Sequence, residues 1–240
     1  MSRQNGVGME FIAQGVVEAF WLLVSMDAET ISAIDVTLRT STISILLSII
    51  IGFPLGFILG FFDFPLRKTF RLISDTLLAT PTVVIGLLVY AFISYRGPLG
   101  EFGLLFTMEG IIIGQTILAL PIVVSLTASA IEGMDRKLYY TLSSFGLTLS
   151  QMVFNVVWEL RHALLAAAVT AYGRVIAEVG VAMMIGGNIK YHTRTITTAI
   201  SLETSKGMFS MGIALGIVLI GIAFLVNLSL NFLRKNARQY

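Results

Sequence analysis

The sequence predicts an all-α integral membrane protein with about five transmembrane helices and an amphipathic interfacial helix ahead of them. Three observations carry this. The 240 residues are 56% hydrophobic and only 12% charged, against about 25% charged in soluble domains. That leaves too little polar surface to face water, so a bilayer must cover the apolar exterior. Apolar runs recur along the chain, each near the ~20 residues that a helix needs to cross about 30 Å of hydrocarbon. Finally, the short loops on one side of these runs are all basic.

Met1 to Gly8 is polar. Met9 to Met26 is apolar on one side, with Glu10, Gln14 and Glu18 recurring every fourth residue on the other. This pattern reads as a helix lying in the membrane interface, with an additional span as the alternative. A barely basic start and the lack of an Ala-x-Ala site argue against a signal peptide. The reading sets residues 1–34 apart from a transmembrane domain over 35–240.

Ser41 to Phe62 is the first span, and its Gly52, Pro54, Gly56 and Gly60 suit a membrane helix, where small residues let neighbours approach closely. The connection Asp63 to Lys68, with Arg71 after it, is basic. Leu72 to Ser94 forms the second span, broken at Thr80-Pro81-Thr82, where proline removes a donor and disfavours helix before it. A turn follows at Gly97-Pro98. Gly110 to Ile131 is the third span, kinked at Pro121. A polar and amphipathic interlude runs from about 132 to 162. Its centre, Ser144-Phe145-Gly146-Leu147, reads as helix, glycine turn and helix, because glycine accepts the left-handed backbone that ends a helix. Ala163 to Ile185 is the fourth span, closed by Gly186-Gly187-Asn188. Ile189 to Gly207 is polar, and Met208 to Leu233 is the fifth span.

Lys and Arg set the orientation. One side holds Arg67, Lys68, Arg71, Arg136, Lys137, Arg161, Arg234, Lys235 and Arg238, nine against six on the other side. The richer side is read as cytoplasmic, which puts the interlude and the C-terminus inside and the N-terminus outside.

A net charge of +2 with scattered cations offers no nucleic-acid surface. The absence of Cys excludes disulfides and thiol sites, and the lone His162 and His192 do not make a metal site. No phosphate loop, His-Glu-x-x-His or Gly-x-Ser-x-Gly occurs, so an enzyme's constellations are missing. Arg174 and Glu178 stand out instead. Charges at the centre of a membrane helix cost roughly 2.5–3.5 kcal/mol each on insertion scales, so they face an interior or a polar path. Four residues apart, they share a helix face and can pair, either as a structural lock or as the lining of an anion pathway.

The block Gly173-Arg174-Val175-Ile176-Ala177-Glu178-Val179-Gly180, followed by Met183 to Ile189, Thr193 to Ile200 and Leu202-Glu203-Thr204, resembles the permease subunits of ATP-driven oxyanion importers. The tungstate branch is the most similar, with molybdate and sulfate permeases as cousins. The resemblance implies the type I permease fold of ABC importers and a homodimer in the inner membrane. It also implies two cytoplasmic ATP-binding subunits, on which hydrolysis would take place, and an extracytoplasmic oxyanion-binding protein. It implies no cofactor.

Arg174, Glu178, Gly180 and Asn188 become pathway or gate candidates. Ser144, Phe145, Gly146 and Leu147 become the ATPase-coupling turn, and Lys190, Arg194 and Lys206 the seat of the binding protein. The family's coupling motif, Glu-Ala-Ala before the glycine and Leu-Pro after it, is replaced here by Tyr140-Thr141-Leu142 and Trp158-Glu159. The shape of the loop is kept while its side-chain signature is lost. Two other functions stay open: a membrane anchor with no transport path, and a secondary anion transporter.

Overall fold

The computed structural model describes residues 14–22, 24–134, 144 and 146–236, and every regular element among them is helical. In chain order these are α1 (residues 14–22), α2 (Ala28–Phe61), α3 (Arg67–Leu78), α4 (Thr82–Ile93), a 3-10 turn (Gly100–Phe102), α5 (Met108–Glu132), α6 (Leu149–Ile176), α7 (Gly180–Gly186), α8 (Ile196–Ser205) and α9 (Phe209–Asn236). Among the described residues three helices are long and apolar enough to cross a membrane, Ala28–Phe61, Met108–Glu132 and Phe209–Leu228. Two bent pairs, Arg67–Leu78 with Thr82–Ile93 and Ser150–Glu159 with Arg161–Ile176, raise the total to five. Counting each bent pair as one span gives up to five among the described residues, the number expected.

Their boundaries differ in informative ways. The first span begins at Ala28 instead of Ser41. Asp27 caps it by accepting from the Thr30 amide and hydroxyl, both at 2.8 Å. The polar residues that follow lie inside the helix because its own carbonyls satisfy their hydroxyls: Thr37 donates to Ala33 (2.7 Å) and Thr40 to Val36 (2.8 Å). Pro81 splits the second span as expected, and α5 runs on through Pro121. The fourth span starts at Leu149, well inside the interlude, and stops at Ile176. It bends by 73° around Leu160, where the Trp158 carbonyl is taken up by the Arg161 guanidinium, whose carbon sits 4.8 Å from the Trp158 ring centre.

The contacts divide into two units. The first comprises Met1–Ile43, Pro81–Gln115 and Val175–Tyr240. Its core joins Ala33 of α2, Ile196 and Ala199 of α8, and Leu215 and Val218 of α9. Gly15 of α1 approaches α9 so closely that a Cβ there would lie 2.5 Å from Ile213. α7 packs on α4, with Gly86 against Val181 and Met184.

The second unit comprises Ser44–Thr80 and Thr116–Arg174. Here Gly52, Gly56 and Gly60 form a stripe against α5, where added Cβ atoms would come within 2.8 Å of Val123, 2.6 Å of Thr127 and 2.9 Å of Ile131. The close helix approach anticipated from these glycines is what they provide. Arg67 donates to the Leu59 and Gly60 carbonyls at the end of α2 and pairs with Glu132 of α5 at 3.0 Å. Arg71 donates to the Ser125 carbonyl at 2.8 Å. These loop cations also staple helix ends.

Candidate functional site

Glu178 lies between helices. The chain leaves α6 at Ile176 and re-enters a helix at Gly180. Glu178 is 6% exposed, and its Oε1 accepts from the amides of Gly180 (2.8 Å) and Val181 (3.2 Å). A carboxylate on two amides at the start of a helix is held by charge-assisted hydrogen bonds and the local dipole, which offset the cost of burying it. Arg174 stays in the last turn of α6 and is exposed. The shared helix face and the ion pair with Glu178 are thus not realised, because the helix ends between the two residues and Glu178 spends its oxygen on the backbone. The Glu178 carbonyl in turn accepts from Thr197 at 2.8 Å.

The polar segment 189–207 is exposed at both ends and buried at its centre. Thr195 and Thr198 form a reciprocal capping box for α8, and the Ile196 amide donates to Thr37 of α2 at 2.9 Å. Residues 193–199 are all buried. Asn188 takes the left-handed conformation (φ 54°) and accepts from Arg194 through both its side-chain oxygen (3.0 Å) and its carbonyl (3.3 Å).

Arg194 is a buried residue that pairs with Glu29 at the start of α2. Lys190 pairs with the other oxygen of Glu29 at 2.6 Å and is half-exposed. Its hydrogen bond to Glu29 and that carboxylate's charge raise its pKa above the usual lysine value. Lys206 pairs with Glu203 at 2.8 Å. Each of the three residues assigned to the seat of the binding protein has a carboxylate partner, and Arg194 is withdrawn from solvent. All three nevertheless line one cavity of 300 Å³, together with Asp27, Glu29 and Glu203. The sequence reading missed those three acids. The Asp27-x-x-Thr30 cap signal, which starts a helix and so puts Glu29 in its first turn, could have found two of them.

At the interlude, Ser144 is helical and Gly146 has φ 62° with open space around it, so the left-handed glycine turn is present. Phe145 lies outside the described residues, as do residues 135–143. Leu147 packs on the cluster of Phe57, Ile131 and Val156. Thr148 and Gln151 cap α6 reciprocally: the Thr148 amide donates to the Gln151 side chain at 3.0 Å, and the Gln151 amide to the Thr148 hydroxyl at 3.4 Å. Among the described residues no three His, Cys, Asp or Glu side chains are grouped to hold a metal ion.

Membrane-crossing helices broken at Pro81 and at Glu178, with a glycine-turned loop between two of the spans, define a helical membrane permease. The chain belongs to the family of binding-protein-dependent transport system inner membrane components, whose family model matches residues 52–239. It is 56% identical over 227 residues to the tungstate uptake system permease protein TupB of Campylobacter jejuni, covering 95% of each chain. It is 36% identical to the TupB protein of Peptoclostridium acidaminophilum over 91% of this chain and 96% of that one. A chain of the MetNI methionine ABC transporter, solved in inward-facing conformations, has the same fold (TM-score 0.72, 16% identity, covering 89% of this chain and 98% of that chain).

Proposed function

We propose that this chain forms the membrane pathway of an ATP-driven importer of tungstate. The observation that carries the reading is the 56% identity to a tungstate uptake permease across 95% of both chains. Two copies of the chain would enclose the path, with two cytoplasmic ATP-binding subunits below and an extracytoplasmic oxyanion-binding protein above. Arg174 is exposed and forms no ion pair among the described residues, which leaves its guanidinium available to an oxyanion. Glu178, Gly180 and Asn188 border the path as the elements that fix its break, with Glu178 acting as a cap instead of a counter-ion.

The loop around Gly146 transmits force. ATP-driven closure of the two ATPases would draw the loops of the two copies together and rock the spans between inward and outward access. The cavity lined by Lys190, Arg194 and Lys206 sits on the extracytoplasmic side in the orientation that the basic loops favour, and it is the proposed seat of the binding protein. The N-terminal amphipathic segment lies in the outer interface. Selection between tungstate and molybdate, ions of equal charge and similar size, belongs to the binding protein, where a rigid site can resolve the difference. Tungstate uptake into vesicles carrying the chain with its ATPase and binding protein tests the reading. It requires uptake that depends on ATP and falls when Arg174 is replaced by Ala.

A further inference from the structure

The first half of α6 runs across the direction of the span it leads into, since Ser150–Glu159 is bent by 73° from Arg161–Ile176. Its packing fixes its depth. Val156 is fully buried in a cluster with Phe57, about one turn from the end of α2, and Ile131, beside the last residue of α5. Val153 and Leu160 pack against the same cluster. This stretch therefore lies against the ends of two spans, where they leave the hydrocarbon, on the side whose connection carries Arg67, Lys68 and Arg71.

At 3.6 residues per turn the rest of its circumference divides in two. Gln151, Asn155 and Glu159 recur every fourth residue, are exposed, and make a polar face. Between that face and the packed one stand Phe154 and Trp158, 67% and 61% exposed, with Val157 beside them. The two rings stack with their centres 6.3 Å apart, and the Arg161 guanidinium sits 4.8 Å from the Trp158 ring centre. Arg161 gives one nitrogen to the Trp158 carbonyl and forms no ion pair among the described residues, so its other N–H groups are open to an anion.

The position of this face selects what covers it. A helix with one polar and one apolar side that lies along a membrane surface buries its apolar side among headgroups and upper acyl chains. Trp is enriched at that level, and cations there meet lipid phosphates. Phe62 after α2 and Phe70 in α3, 37% and 50% exposed, continue the aromatic level along the adjoining helix ends. The apolar face is thus continuous with the lipid-facing surface of the spans, and its one unpaired cation matches an anionic headgroup.

We propose that residues 150–161 form a lipid-surface anchor, with Phe154 and Trp158 in the interfacial layer and the Arg161 guanidinium on the phosphate of an anionic phospholipid. The anchor is independent of which ion is transported. The chain has two Trp, so Trp21→Phe leaves Trp158 as the sole indole reporter. The test is its fluorescence in the full-length protein in nanodiscs of phosphatidylcholine with a minor share of phosphatidylglycerol. Acyl chains brominated near the ester end should quench Trp158 more than chains brominated near the methyl end, and aqueous iodide should quench it little. Brominated phosphatidylglycerol should quench more than brominated phosphatidylcholine at the same share. Arg161→Gln should lower that preference about fivefold, the worth of one cation at an anionic surface, and Arg161→Lys should retain most of it.

Quenching by iodide with no effect of brominated chains would mark a solvated helix and overturn the proposal. Lipid quenching that disappears when the ATPase subunit is added would give the face to that subunit. A disulfide between two copies at Phe154→Cys, readable in a chain with no native Cys, would give it to the second copy. Either result overturns the anchor, and a phosphatidylglycerol preference unchanged in Arg161→Gln overturns the headgroup contact.

Discussion

Replacing Glu178 separates its charge from its role as an acceptor. In Glu178→Ala the amides of Gly180 and Val181 lose their acceptor, and Val181 is fully buried, so water cannot substitute there. Each orphaned amide costs about 1–3 kcal/mol, which sets the expected loss at about 2–6 kcal/mol. Glu178→Gln keeps a carbonyl oxygen in the same place and gives up only the charge assistance, about 1 kcal/mol. Differential scanning fluorimetry of the purified protein should therefore show Glu178→Ala melting on the order of 10 °C below wild type, and Glu178→Gln close to it. Tungstate uptake in the Gln variant should stay within a few-fold of wild type. If Glu178→Gln keeps its melting temperature yet loses uptake, the charge itself works in transport and the reasoning from the cap fails.

Arg194→Ala leaves Glu29 to Lys190 alone and both acceptors of Asn188 without their donor, and should destabilise by about 1–3 kcal/mol. Lys190→Ala, at a half-exposed position, should melt like wild type, and equal effects of the two would contradict the assigned burial. Gly56→Leu drives a side chain into Thr127 and the Val124 carbonyl, which lie at 2.6 and 2.7 Å from the added Cβ, and should cost about 1–3 kcal/mol or more. Gly216→Ala, with nothing within 4 Å, should be neutral or slightly stabilising in the same melting assay. Gly146→Val meets open space, so its penalty is the left-handed backbone alone, about 1–2 kcal/mol and local to the loop. ATP hydrolysis should continue in that variant while uptake falls, and intact coupling would remove Gly146 from the force path.

The spans and their glycine contacts were legible because an apolar run of membrane length and a Gly-x-x-x-Gly stripe are local signals, as in Gly52, Gly56 and Gly60. The break at Pro81 and the turn at Gly146 were legible for the same reason, each resting on one residue's backbone. What could not be read depends on partners distant in sequence. The pairing of Arg194 with Glu29, a residue far away in the sequence, gave no local signal. Thr193 to Thr198 looked solvated until capping and the bond to Thr37 placed them in the interior. Thr37 and Thr40 fell outside the span read from Ser41 because hydropathy counts a hydroxyl as polar even where its own helix satisfies it. The pairing of Arg174 with Glu178 failed on a boundary that only the Glu178 cap reveals.

The most direct measurement of the central claim is tungstate uptake by sealed vesicles in which the chain, its ATPase and its binding protein are reconstituted together. Uptake is predicted to require all three and ATP, to persist in the presence of an uncoupler, and to collapse with Arg174→Ala while that variant still assembles with the ATPase. Uptake that survives without ATP and dies with the uncoupler, or that does not need this chain at all, would contradict the account.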